Sequence, residues 1–369
     1  MISFPLSARQ ETTWLEHLAL LAELPYPGSV LMPTVMAALK RGFQADMSVV
    51  VWVAGDPLKP AATWMDRTNG SVLSVQKTRM ADVFKDFPLD LQLQTDGDLI
   101  RQLQAMPGDE DHWVYKEALN LLGVHWGICA PLLDAQRQCL GFLYLYRAKE
   151  AGPFSDADNQ RLKRARDRLQ GLGRTPSTRL PPCSHRLRHA AQFQFDMQGR
   201  MLARSAQGVE LLYLYQSMGE GLLDWCSDGL EALPPQVRTA VAHLLDQARQ
   251  GSDVAPLHFS ADLPAGRFDC HAELMLPLDD AQPQVLVRIS LHEPLDVAVA
   301  RSLQGVPWGL QEKRILVATT RQPSSQQLAD HLGVTVSTLK SYINRLQAKA
   351  GVTSRQALIE RLLTQPARP

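Results

Sequence analysis

The chain has 369 residues, 45% of them hydrophobic, and its 38 Lys and Arg balance 38 Asp and Glu. That length exceeds one typical domain and supplies two or three, each with a core of its own. No apolar run approaches the roughly eighteen residues a membrane helix needs, and Arg9, Glu11 and Glu16 stand where a leader would carry a basic start and an apolar block, so a soluble, cytoplasmic protein with no membrane partner is expected.

In chain order, residues 30–43 read as a helix, and the valine-rich run 47–54 as a buried strand. Residues 123–134 and 138–147 read as two strands joined by a polar turn; a hairpin turning near Gln136 pairs 133 with 139 and 129 with 143. Ser155 then caps a helix whose first turn holds Asp156 and Asp158, where the helix dipole favours acids. Residues 171–182 concentrate Gly, Pro, Ser and Thr and read as a linker. Beyond it, residues 191–196 alternate apolar and polar as a half-buried strand, residues 197–200 turn, and Met201 begins another strand. Helical segments follow, and 255–259, 267–276 and 284–291 read as three closing strands. A second break falls at Glu293-Pro294 and Gly305-Val-Pro307.

The C-terminal stretch is the most informative. Ser324 caps a short helix, with Gln327 placed to return the bond in an S-x-x-Q capping box, and Gly333 stops it. Thr335 or Ser337 caps a second helix, whose Leu339, Ile343, Leu346 and Ala350 fall on one stripe before Gly351 closes it. The opposite face shows Ser337, Thr338, Lys340, Ser341, Asn344 and Arg345, donors without a carboxylate among them, suited to phosphates and base edges. An earlier helix over about 309–320 and a later one over about 354–364 complete a four-helix unit. Residues 308–369 hold nine Lys and Arg against three acids, a net of +6, which leaves −6 for the rest. Such asymmetry fits a basic DNA-contacting module on an acidic body.

From about Trp308 to Leu363 the chain resembles the DNA-binding domain of the LuxR/GerE class of bacterial transcription regulators. The match rests on Glu312 with Ile315-Leu316, on Leu328-Ala329 with Leu332, on Thr338-Leu339-Lys340, and on Lys349-Ala-Gly-Val352 with Arg355. The chain departs at Trp308-Gly309, where the family has Leu-Thr, and at Gln322 and Gln327, where it has Gly and Glu. Gln311 and Gln327 replace residues that make internal polar contacts in relatives, which implies a rewired scaffold. The resemblance implies double-stranded DNA as partner, with Thr335, Ser337, Thr338, Lys340, Ser341, Asn344, Arg345 and Lys349 toward it. It also implies a homodimer paired through the last helix by Ala357, Leu358, Arg361 and Leu362.

Residues 30–170 resemble a GAF domain: a strand ending Ala130-Pro131-Leu132, a turn, Leu140-Gly-Phe-Leu143 as the next strand, and Phe154-Ser-Asp156 before the last helix. The resemblance implies a small antiparallel sheet flanked by helices, in many relatives with a small molecule over the sheet. Residues 183–292 resemble a PAS domain through the Asp196-Met-Gln-Gly199 turn and the strand order. The expected architecture is therefore α+β and multidomain: a GAF-like sensor domain (1–170), a linker (171–182), a PAS-like domain (183–292), a linker (293–307) and an all-α LuxR-type helix-turn-helix domain (308–369).

A small-molecule effector is expected, and Trp52, Trp64, Trp126, Tyr144 and Tyr146 are candidates to line its pocket. Any one of them alone is more readily core packing; as a group they leave room for a largely apolar ligand. No catalytic residue, cofactor or metal site is expected, since G-x-S-x-G, a phosphate-cradling loop, H-E-x-x-H and paired cysteine ligands are all missing from the sequence. Cys129, Cys139, Cys183, Cys226 and Cys270 read as buried free thiols, although a GAF-type thiol enzyme using Cys129 and Cys139 stays open as an alternative. His185 and His189, four apart near Cys183, fall beside a strand start, where a shared metal is not expected. A ligand-independent regulator, whose front domains serve only dimerisation or protein contact, is the other alternative.

Overall fold

In the computed structural model, α1 (Ala8–Ala22) begins at Ser7, whose hydroxyl accepts from the Gln10 N–H while the Gln10 side chain accepts from the Ser7 N–H. This reciprocal cap satisfies two of the donors a helix start leaves open. Trp14, Leu18 and Leu21 recur on one face and are buried against α2 (Gly28–Phe43). The structure describes residues 6–54, 59–67, 101–103, 123–173, 184–216, 229–230, 233–250, 255–276, 282–321 and 324–364. Cys183, Cys226 and Gln322 lie outside them.

The first sheet contains β1 (Met47–Ala54), β2 (Lys59–Arg67), β3 (Arg101–Leu103), β4 (Trp126–Leu133) and β5 (Cys139–Arg147). It is antiparallel throughout, in the order β2-β1-β5-β4-β3. Leu133 faces Cys139 as the hairpin requires, but Cys129 faces Tyr144 and not residue 143. A bulge between Leu132 and Leu133 accounts for the one-residue offset. After the sheet, α3 (Asp156–Leu169) starts at a reciprocal cap between Ser155 and Asp158, and packs on α1 and β4.

The second sheet contains β6 (His185–Phe195), β7 (Met201–Arg204), β8 (Leu257–Leu263), β9 (Gly266–Met275) and β10 (Gln284–Pro294), in the order β7-β6-β10-β9-β8. Counted within each sheet, the two orders are the same. Between β7 and β8 come α4 (Gly208–Gln216) and α5 (Pro235–Arg249), which cover one face: Val237, Val241, Leu244 and Leu245 meet Phe193, Phe195, Phe268 and Val287 in the core. The turn into β7 is fixed by Asp196, whose Oδ1 accepts from the N–H groups of Gln198 and Arg200 at 3.0 and 2.8 Å, with Gly199 at φ 82°.

Of the first expected linker, residues 174–182 lie outside the described residues, and of the second all of 293–307 is described. Residues 170–173 are a 3₁₀ turn pressed on the end of α1, where a side chain at Gly171 would come within 2.6 Å of the Ala22 carbonyl oxygen. The stretch 293–307 contains α6 (Leu295–Ser302), in which Asp296, Val297, Ala298, Val299 and Ala300 are all buried. A connection of this apolar character gains more by burial than by solvation, about 1.5–3 kcal/mol for each valine. Four helices follow: α7 (Leu310–Thr319), α8 (Ser325–Leu332), α9 (Val336–Ala350) and α10 (Arg355–Thr364). Helix α6 touches β6 and β10, α1, and also α7 and α10, so one contiguous apolar cluster runs from α1 to α10.

Candidate nucleic-acid interface

Helix α8 starts at Ser324, whose hydroxyl accepts from the Gln327 N–H at 3.2 Å, and stops at Gly333 in the left-handed conformation, φ 64°. The Gln327 side chain meets the Ser324 hydroxyl at 3.0 Å, so the second arm of the expected capping box is not made. Thr335 caps α9, accepting from the Thr338 N–H at 3.2 Å, and Gly351 ends it at φ 66°. Leu339 and Leu346 are the buried residues of α9, Leu328 and Ala329 those of α8, and the two helices pack through them.

This packing turns Thr335, Ser337, Thr338, Lys340, Ser341, Asn344, Arg345 and Lys349 outward; all eight are exposed. Ser337, Lys340, Ser341, Asn344 and Arg345 lie on the α9 face opposite Leu339 and Leu346, Thr338 and Lys349 flank that stripe, Thr335 stands at the cap, and α9 contains no acid. Thr335 is spent on the cap and touches the hydroxyls of Ser337 and Thr338, and the Ser341 hydroxyl returns to the Ser337 carbonyl. Lys340 and Asn344 make no side-chain contact among the described residues, which leaves both available to a partner.

Arg345 and Lys349 are less free. Both meet Glu312 Oε1, at 3.0 and 2.7 Å, while Glu312 Oε2 accepts from the Gly309 N–H at 3.2 Å; the Arg345 guanidinium also lies over the Tyr342 ring. Burial pushes the Glu312 carboxyl up, but Lys349, the Gly309 N–H and Arg345 together hold it below the usual range. Glu312 thus ties α7 to α9 and orients two of the cations on the exposed face.

The rest of the basic surplus is partly internal. Arg314 pairs with Glu23 at the end of α1, and Arg321 pairs with Asp296 on α6. Lys313 is fully buried beside α1, where burial pushes its ammonium down to about 8 against the opposing pull of Glu16. Three of the nine cations counted in the sequence therefore dock α7 on the front of the molecule and are withdrawn from any external anion.

The residues expected at a dimer contact divide. Leu358 and Leu362 are buried within the protomer, in a helix that packs on α6 and α9. Ala357 is half-buried and Arg361 exposed, and these two remain at the surface.

The five aromatic residues considered for an effector pocket do not come together. Side chains alternate across a strand, and the register sets Trp126 opposite Arg147 and Tyr146 opposite Gly127. Trp52, Trp64 and Trp126 share the face of Val50 and Ile128 under the helices, where Trp64 is buried and the Trp126 Nε1–H donates to the Lys149 carbonyl at 3.1 Å. Tyr144 and Tyr146 lie on the opposite face, stacked at 6.3 Å and buried. One cavity over the sheet cannot be lined by both groups. Nor do His185 and His189 share a metal: both sit in β6, roughly 13 Å apart along an extended strand. Cys129, Cys139 and Cys270 are free thiols, and burial pushes Cys270 up to about 12.

A second polar cluster lies outside the expected site residues. Asp296, fully buried at the start of α6, accepts from the Tyr26 hydroxyl at 2.8 Å and from its neighbour Val297 N–H, and pairs with Arg321. It joins the segment before α2, the end of the second sheet and the end of α7. Close by, Glu293 holds Arg188 of β6 and Arg301 of α6, and Arg188 also pairs with Glu210 of α4. The signal available in the sequence was a pair of acids flanking Pro294 just before an apolar helical run.

No family model matches the chain, and no curated protein matches it. Among solved structures it is similar to VqmA bound to DPO, at 13% identity over 49% of this chain and 86% of that one, with a TM-score of 0.19. It is also similar to the Vibrio cholerae VqmA dimer in the absence of target DNA, at 15% identity over 47% and 82%, TM-score 0.19. The E. coli DhaR(N)–DhaL complex overlaps 77% of this chain and 90% of that one at 11% identity, TM-score 0.22. Superposition at that level leaves the function to be argued from this chain's own residues.

Proposed function

We infer that the chain is a non-enzymatic, cytoplasmic DNA-binding transcription regulator of the LuxR type, whose GAF-like and PAS-like domains sense a small molecule and control a C-terminal helix-turn-helix. The single observation that carries this reading is the α8–turn–α9 unit, two capped helices joined at a left-handed Gly333, presenting an acid-free face with Lys340 and Asn344 unengaged. A helix so presented suits the major groove, with Lys340 on phosphate and Asn344 reaching a base edge. The common antiparallel order of the two sheets supports the sensor-domain reading. Half-buried Ala357 and exposed Arg361 are the accessible part of the surface through which two copies would pair on two half-sites. Lys340→Ala combined with Asn344→Ala tests the reading: it should abolish retention of the DNA upstream of the chain's own gene, and unchanged retention contradicts it.

An alternative, in which the front domains act without a ligand, draws on a different observation. The ion pairs Glu23–Arg314 and Asp296–Arg321 already fix α7 to the front of the molecule. Thermal shift of the full chain over a metabolite panel separates the two readings, since a ligand that binds the folded state raises its melting temperature.

A further inference from the structure

A cavity of about 490 Å³ opens between α1, the end of α2 and the α6–α7 connection. It is lined by Arg9, Trp14 and His17 from α1, Arg41 from α2, and Gln304 and Pro307 from the connection that leads into the helix-turn-helix. Its size falls in the range that encloses a small organic ligand. It lies away from the sheet face that carries Tyr144 and Tyr146, on the side where the front domain meets the C-terminal helices.

The chemistry of its wall is one-sided. No Asp or Glu is among the lining residues, and neither Arg9 nor Arg41 has a carboxylate partner among the described residues. The nearest acids of α1 are occupied elsewhere: Glu11 by Arg164 and Arg161, and Glu16 beside Lys313. His17 is the unusual member. Its side chain is buried, both ring nitrogens lack a hydrogen-bond partner, and burial, with Lys313 and Arg41 nearby, pushes it down to about 3. A neutral imidazole offers one donor and one acceptor, and leaving both unmade inside a protein is costly. Both nitrogens are enclosed by protein, so His17 meets the cavity with the edge of its neutral ring, and Trp14 and Leu6 extend that apolar wall.

We propose that this cavity binds a small cyclic or aromatic carboxylate. Its carboxylate pairs with Arg9 and Arg41, its ring lies against Trp14 and the His17 edge, and its presence fixes the α6–α7 connection against α1. The proposal rests on the ligand-sensing reading above and gives it a site and a ligand class. Because Gln304 and Pro307 form part of the wall, occupancy stabilises only the arrangement in which the helix-turn-helix is docked on α1, which is the differential affinity that coupling requires.

The test uses the full chain with salicylate, indole-3-acetate, phenyl phosphate and, as the uncharged control, salicylamide. Saturable rises in melting temperature with a carboxylate and none with salicylamide are expected, together with slower amide exchange over residues 303–310. Arg9→Gln with Arg41→Gln, both at exposed positions, should weaken carboxylate binding about tenfold or more, the worth of a charged hydrogen bond. Thr13→Trp should fill the cavity and abolish binding with an unchanged far-ultraviolet spectrum. The assignment is overturned if neither carboxylate binds, if phenyl phosphate alone binds, or if the double arginine variant binds salicylate as tightly as the parent. DNA retention measured on the same samples separates the two claims: retention without carboxylate binding removes the cavity proposal alone, and carboxylate binding without retention removes the DNA-binding reading alone.

Discussion

Tyr26 donates its hydroxyl hydrogen to Asp296 at 2.8 Å across 270 residues of chain, and the same buried carboxylate pairs with Arg321 at the end of α7. One acid thus holds a residue from each of three parts of the molecule: the segment before α2, the helix after the second sheet, and the first helix of the helix-turn-helix unit. A carboxylate buried this deeply is tolerated only when fully paired. The junction is therefore stable as a whole and fragile at each partner.

Asp296→Ala should cost about 3–5 kcal/mol, because it strands the Arg321 guanidinium and the Tyr26 hydroxyl in a dry environment. Tyr26→Phe removes the neutral hydroxyl's bond to Asp296 while leaving Arg321 in place, and should cost less, about 1 kcal/mol. Urea denaturation of the two variants checks the ranking; equal losses would mean that Arg321 finds another partner or water.

Leu358 is buried within the protomer between α10, α6 and α9. Leu358→Ala should destabilise by about 2–5 kcal/mol, the range for emptying a core position. The loss should be the same at low and high protein concentration. A loss that grows on dilution would place the side chain chiefly in a subunit interface.

His17 gives the molecule an acid limit. Its imidazole is held down to about 3 by burial and by the neighbouring Lys313 and Arg41 cations, against 6.5 when free. Below pH 6.5 the unfolded chain takes up a proton that the folded chain refuses, so stability present above that pH is lost as pH falls toward 3. At a pH of about 4.5 the loss reaches roughly 2–3 kcal/mol. His17→Leu should flatten this part of the profile, so that the variant gains on the parent between pH 6.5 and 4.5. Parallel profiles would show that His17 is protonated in the folded state without penalty.

Glu312→Gln should release Arg345 and Lys349 from their shared oxygen. With both cations about half exposed, the loss of stability should be small, about 1 kcal/mol. The freed cations should leave DNA affinity at low salt unchanged or tighter. A large fall in affinity would instead assign Glu312 an orienting role for Arg345, and competition binding reads the difference.

Local signals were the ones the sequence carried well. Helix caps at Ser155, Ser324 and Thr335, the stops at Gly333 and Gly351, and the alternation of residues 191–196 all depend on neighbours a few residues apart, and the structure shows each. What the sequence hid depends on tertiary contact. Pro294 and Gly305 bracket helix α6 as they would a linker, yet Val297 and Val299 bury it in the core. Helix α1, with its Ser7–Gln10 box, carries a signal of the same local kind, which the expected elements do not include. The aromatic candidates failed for a reason visible only with register, since one residue of offset decides which face of a sheet a side chain joins. The +6 charge of the C-terminal part also meant something other than its arithmetic, because Arg314, Arg321 and Lys313 are spent on docking.

If the open face of α9 reads DNA, binding must depend on both salt and the side chains of that face. Binding of the full chain to DNA from its own upstream region, titrated over a series of salt concentrations, tests it most directly. Retention should weaken steeply with salt, with a slope reduced by about one for Lys340→Ala, and binding should be lost when Asn344→Ala is added. Retention that ignores salt and survives both substitutions would contradict it.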